Sequence, residues 1–253
     1  MNLHEKNNIV ENVKQYLLKT KSISFAGGEP TLQKGHYQIL QFLIDNGYTH
    51  INLRYNINAT NLSFKNVSIL DYWHNFKSIK VMLSIDGFGK QFEYLRHGAD
   101  WESVLENIKK IKEKCPHVEL EVNSVVSFFS LESIVELQKD WHEKDIICGN
   151  SFKMELITGH NQSYDIQSLP MHHKKRISRI IDNHCDWLHS QNQNILAHKW
   201  CEIKKYMMSE HKQHKLSQAK KDIELIDSFR NENFYNTFPK LADVFDDVLP
   251  TKH

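Results

Sequence analysis

Cysteine is scarce in this sequence and poorly spaced for the chemistry it usually serves. Cys115, Cys148, Cys185 and Cys201 stand sixteen or more residues apart, so there is no CxxC pair for a redox couple and no finger spacing for zinc. With no signal-peptide pattern ahead of them, reduced thiols in the cytoplasm are the expectation. Long apolar runs are missing too: even YLLKTKSISFAGG is broken by Lys19 and Lys21, which excludes a membrane span there. An excess of either charge is also absent. Lys plus Arg number 32 against 31 Asp plus Glu, so no global field draws the chain to nucleic acid or an anionic membrane. Glycine and proline are few, nine and five, and no Gly/Ser linker, internal repeat or low-complexity tract occurs. Histidine is plentiful at sixteen but forms no HExxH. Its close groups, His172-His173 and His211 with His214, read as exposed helix surface rather than metal ligands.

A chain of 253 residues with 40% apolar content can bury a sizeable core. Five segments cluster apolar and β-branched residues and read as strands: SISFAG, THINLRYN, IKVMLSID, VELEVNSVVSF and SFKMELIT. Helical patterns separate them. YQILQFLIDNG places Ile39, Leu40, Leu43 and Ile44 on one face and stops at Gly47. DWESVLENIKKIKEKCP opens on Asp100 as N-cap, carries Val104, Leu105, Ile108 and Ile111 on one stripe and closes at Pro116. LESIVELQKDWHEK behaves likewise. Strand and helix alternating every roughly thirty to forty residues predict an α/β fold with about five parallel strands, helices outside and ligands at the carboxyl ends of the strands. From Leu169 onward only helical patterns remain. Their lysines, Lys199, Lys204, Lys205, Lys212, Lys215, Lys220 and Lys221, alternate with Glu202, Glu210 and Asp222 and read as a solvated face, not a nucleic-acid patch.

Gly27 and Gly28 fall where the first strand must leave the sheet. Without a Cβ they accept backbone angles closed to other residues and let a ligand approach the main chain. Glu29 adds a carboxylate, and Pro30 stiffens the turn and removes a donor. Exposed carbonyls beside a carboxylate suit a cationic, donor-rich group such as an ammonium; a tight strand-to-helix turn accounts for the Gly-Gly pair equally well. NINATN sets Asn56, Asn58, Thr60 and Asn61 at the end of the second strand. LSIDG ends the third with Ser84 and Asp86 at alternate positions, so both face one side. A hydroxyl beside a carboxylate suits a ribose diol, and turn stabilisation is the competing role for each polar residue taken singly.

FAGGEP, NINAT, LSIDG and YLRHGADWESVLENIKKI, in this order and spacing, resemble the radical S-adenosylmethionine (SAM) enzymes, especially the branch with SPASM or twitch extensions. The tail IDSFRNENFYNTFPKLADVF looks like the ending of uncharacterised twitch-type members, many of them phage-encoded. The resemblance implies a partial (β/α) TIM-like barrel over residues 1–168 and a helical C-terminal extension over 169–253. It implies that Gly27, Gly28 and Glu29 contact the methionine amino group, that Ser84 and Asp86 sit by the ribose, and that Asn58 lines the pocket. Asn123 in the fourth strand faces the same cavity on this reading, or is a satisfied buried amide. The resemblance further implies a four-iron cluster that reduces bound SAM to a 5′-deoxyadenosyl radical, which takes a hydrogen atom from a peptide or small-molecule substrate.

The family's CxxxCxxC loop, whose thiolates hold that cluster, has no counterpart here. LHEKNNIVENVKQYLLKT, beginning at Leu3, reads on this resemblance as the helix between that loop and the GGEP strand. The expectation is therefore a chain short of the first strand and its cysteines, with a separate polypeptide or upstream segment supplying both to the open edge of SISFAG. No metal ligands are assigned, and Cys115 at a helix end reads as structural. Cys185 and Cys201 are too few for an auxiliary cluster. The alternatives are a non-catalytic SAM-binding or scaffold protein, and an unrelated barrel enzyme.

Overall fold

The computed structural model describes residues 9–147, 149–157 and 163–246; Cys148, Thr158 at the end of the fifth expected strand, and the extremes of the 1–168 and 169–253 segments lie outside the described residues. Helix α1 (Ile9–Leu17) leads into strand β1 (Ser22–Phe25), helix α2 (Lys34–Asp45) and strand β2 (Asn52–Ile57). A short hairpin, β3 (Ser63–Phe64) with β4 (Val67–Ser68), and helix α3 (Ile69–Trp73) precede strand β5 (Ile79–Ser84). Helices α4 (Gly89–Leu95) and α5 (Trp101–Lys114), strand β6 (Val118–Val126), helix α6 (Leu131–Glu143) and strand β7 (Phe152–Leu156) follow. The remainder is helical: α7 (Met171–Ser190), α8 (Asn194–Ser209), α9 (Leu216–Arg230) and α10 (Phe234–Thr237).

Five strands share one sheet in the order β1-β2-β5-β6-β7, and β1–β2 and β2–β5 pair in parallel. The α/β architecture expected from the alternation of patterns is thus observed. The described residues divide into two compact units, Met1–Ser84 with Ala99–Val122 and Ile85–Gly98 with Asn123–His253.

In the first unit, β2 alternates strictly, burying Leu53, Tyr55 and Ile57, and β5 buries Ile79, Val81 and Leu83. Side chains of alternate residues leave a strand on opposite faces, so each strand commits one face to the core. Leu40 and Leu43 of α2 are completely buried there, each contributing roughly 1.5–3 kcal/mol. Gly47 ends α2 at φ 74°. Its N–H reaches the Ile44 carbonyl at 3.0 Å and that of Tyr48 the Leu43 carbonyl at 2.8 Å, the paired bonds of a Schellman cap, which needs a left-handed residue at this point. Strand β1 begins the sheet order and is the more exposed strand, with Ser22 and Ser24 open to solvent. Among the described residues no strand covers its outer side.

In the second unit, α6, α7 and α8 bury Leu137, Trp141, Ile181 and Trp200. His211 and His214 are exposed as expected, but the pair His172-His173 is not uniform surface: His172 is exposed and His173 is buried. Successive residues on a helix point about 100° apart, so one of two neighbours turns inward where another segment packs.

Candidate functional site

The first unit builds a polar rim from strand register. Phe25 pairs with Tyr55, and Ile57 pairs with Leu83. Continued past those pairs, the same offsets bring Gly28, Asn58 and Ser84 to one level at the carboxyl ends of three neighbouring strands. Gly27 and Gly28 sit at φ 84° and 54°, and nothing lies within 4 Å of a Cβ built on either. Their requirement is therefore conformational, and the space above them is open.

Glu29 is pinned from both sides. Its Oε1 accepts from Thr31 Oγ1 at 3.0 Å and its Oε2 from the Asn58 N–H at 3.0 Å. Thr31, fully buried, also donates to the Asn61 carbonyl at 2.8 Å. The Asn58 side-chain oxygen accepts from Thr60 N at 3.0 Å and Thr60 Oγ1 at 2.7 Å, a local turn that Asn favours. Asn107 of α5 braces that turn by donating to the carbonyls of Ala59 at 2.9 Å and Thr60 at 3.3 Å. Beneath lies an aromatic floor: Phe25 stacks on Tyr55 at 5.0 Å, and His36 Nε2 is 3.0 Å from Tyr55 Oη. Burial lowers His36 to about 4 and pushes Tyr55 far up, so both stay neutral. The rim's negative charge belongs to Glu29.

In the second unit, Asp86 Oδ2 accepts from Arg96 Nη2 at 2.7 Å and Oδ1 from the Val125 N–H at 2.8 Å. Asp86 lines a cavity of about 300 Å3 with Tyr94, Phe129, Tyr164, Ile223 and Arg230 among its walls. Tyr94 Oη donates to Asp227 at 2.8 Å, and Arg230 Nη1 to the Tyr94 carbonyl at 3.2 Å. Burial, reinforced by Asp227, holds the Tyr94 phenol far above its usual range, and burial pushes Tyr164 up to about 12. These phenols are hydrogen-bond donors at neutral pH, not bases. Asn123 is not among the lining residues; its Oδ1 is buried without a partner among the described groups. A buried amide oxygen in that state is costly unless a ligand or water donor meets it.

Thr31, Arg96 and Asn107 escape the sequence reading, because each is recognisable only through a partner distant in the chain or around a helix. Arg96, ten residues from Asp86, was the most accessible: an acid and a base bracketing a short helix are a signal for pairing.

The described cysteines do not suit an iron–sulfur cluster. Cys115 is fully buried, its Sγ 3.6 Å from the Leu70 carbonyl. Cys185 and Cys201 face one another at 3.7 Å across α7 and α8, and burial pushes the Cys185 thiol up to about 12. Cluster ligation calls for three or four thiolates converging on one point; the described residues offer a single pair and an isolated buried thiol.

An α/β protein with a polar rim beyond the ends of parallel strands is the class these observations define. The profile of the Radical SAM superfamily matches residues 2–140, and the chain belongs to that superfamily. It is 28% identical over 108 residues to the 7,8-dihydro-6-hydroxymethylpterin dimethyltransferase of Methanocaldococcus jannaschii, covering 41% of this chain and 20% of that protein. Among solved structures, Streptococcus suis SuiB bound to S-adenosylmethionine aligns over 77% of this chain and 42% of its own at TM-score 0.51 and 19% identity. Native anSMEcpe with bound AdoMet and Kp18Cys peptide aligns over 75% and 54% at TM-score 0.51 and 20% identity. These structures share the fold. The chain spans about a fifth of the curated relative and about half or less of the structures.

Proposed function

We propose that this protein binds S-adenosylmethionine through the rim that its sequence motifs mark. The observation that carries this reading is the open surface over two left-handed glycines beside a carboxylate held in place by the next strand. Main-chain carbonyls and Glu29 receive the methionine ammonium, Asn58 orients that carboxylate through its N–H, and Ser84 adds a hydroxyl. Within the second unit, taken by itself, Asp86 retains lone pairs beyond the two it shares with Arg96 and Val125, which suits a ribose diol, and it lines a cavity of about 300 Å3. Bound SAM supplies an activated sulfonium; these residues bind, orient and shield it.

Assignment to the branch with SPASM or twitch extensions, and to its phage-encoded members, rests on the helical tail and its sequence. A peptide substrate is the class bound by one fold neighbour, a pterin that named for the curated relative; both remain open to this chain, acting in the cytoplasm. Cluster thiolates, where the chain uses a cluster, come from a segment or partner that adds a strand to the polar edge of β1. A non-catalytic SAM-binding protein is the second reading, favoured by the cysteine geometry.

Calorimetry with SAM tests the proposal. Glu29→Ala or Asp86→Ala is expected to weaken binding by roughly 1.5–3 kcal/mol, the value of a charge-assisted hydrogen bond. Measurable heat that neither substitution changes would refute it.

A further inference from the structure

We propose that His172, His173 and Asp243 form a binding site for a divalent transition-metal ion, zinc in the first place. Their ligand atoms lie within 4.8 Å of one another. His172 Nε2 is 3.1 Å from Asp243 Oδ2 and His173 Nε2 is 2.9 Å from Oδ1. Two ligands of a tetrahedral zinc, bound at about 2.0–2.1 Å, stand roughly 3.3 Å apart. The two imidazole–carboxylate separations fall a few tenths of an ångström short of that, and no pair of ligand atoms in the group is more than 4.8 Å apart.

An ordinary ion pair accounts for His172, whose Nε2 makes a well-formed hydrogen bond to Asp243. His173 pairs with the same carboxylate but without such a hydrogen bond. This ring is 2% exposed, and its Nε2 is buried with no hydrogen-bond partner among the described groups although the carboxylate is so close. A buried nitrogen in that state is expensive, and a cation shared with the carboxylate would satisfy it.

The surroundings are compatible. Arg176 Nη2 contacts His173 Nδ1 at 3.4 Å. Metal binding needs the proton on Nδ1, so that long contact is surrendered, while Arg176 keeps Glu132 at 2.7 Å and the Lys240 carbonyl at 3.2 Å. Glu132 offsets the nearby guanidinium. Two imidazoles and one carboxylate leave a coordination position for water, a donor set that suits zinc or iron(II).

The test is titration of the chelator-treated full-length chain with zinc by calorimetry and with cobalt by visible absorption. One equivalent should bind, with the ligand-field bands of a nitrogen and oxygen site and no thiolate charge-transfer band. Asp243→Asn and His172→Ala, both at exposed positions, should weaken it by roughly tenfold or more, whereas His214→Ala and Cys201→Ser should leave it unchanged. Absence of stoichiometric binding, or equal losses in the His214 or Cys201 variants, would overturn the site.

Discussion

Gln138 shows how much a single side chain can settle inside this fold. Its Oε1 accepts from Trp200 Nε1 and from His184 Nε2, each at 2.8 Å. Indole can only donate, so the amide oxygen must face both rings and His184 must carry its proton on Nε2. Its Nδ1 is then buried without a partner among the described groups, and burial lowers this imidazole to about 3. His36 behaves similarly at about 4. Both groups start from 6.5, so between that pH and their native values the unfolded chain binds protons that the folded chain refuses. Stability contributed by their neutrality is present above about pH 6.5 and is lost as the pH falls toward 4 and then 3. Urea midpoints should therefore decline through this window; a flat profile would contradict the buried neutral pair.

At the scale of elements, caps and periodicity account for helices that the sequence announces. Asp100 accepts from the Ser103 N–H at 2.8 Å, and α5 buries Val104, Ile108 and Ile111 while Leu105 is half-buried. Asp100→Ala should destabilise the protein by about 0.5–2 kcal/mol in chemical denaturation, and Asp100→Asn by much less, because the amide oxygen still caps. The β3–β4 hairpin and helix α3 are too short for any hydrophobic period to register. Their turn places Lys65 at φ 53°, a conformation that lysine does not advertise. Neighbouring histidines on α7 were equally opaque, since burial of His173 depends on what packs over one turn of that helix.

For the whole molecule, a net charge of +1 offers no long-range attraction to a polyanion, so recognition rests on local sites. The sheet begins at an exposed β1 whose outer side carries no strand among the described residues. Anaerobic treatment of the chain alone with iron and sulfide should yield no four-iron cluster, because among the described cysteines Cys115 is buried and Cys185 with Cys201 supply only two sulfurs. Addition of a polypeptide bearing closely spaced cysteines should produce the brown chromophore. A stoichiometric cluster in the chain alone would overturn this expectation.

By itself the sequence determined the order of the longer strands and helices, the α/β class and the position of Gly27, Gly28, Glu29, Asn58 and Ser84 at strand ends. Those properties follow from hydrophobic period, caps and turn chemistry, all local along the chain. Only the tertiary structure decided that Glu29 is anchored by Asn58, that Asp86 is shared by Arg96 and Val125, and that His173 is buried against Asp243. Contacts between residues so far apart in sequence come from packing, which no local pattern encodes.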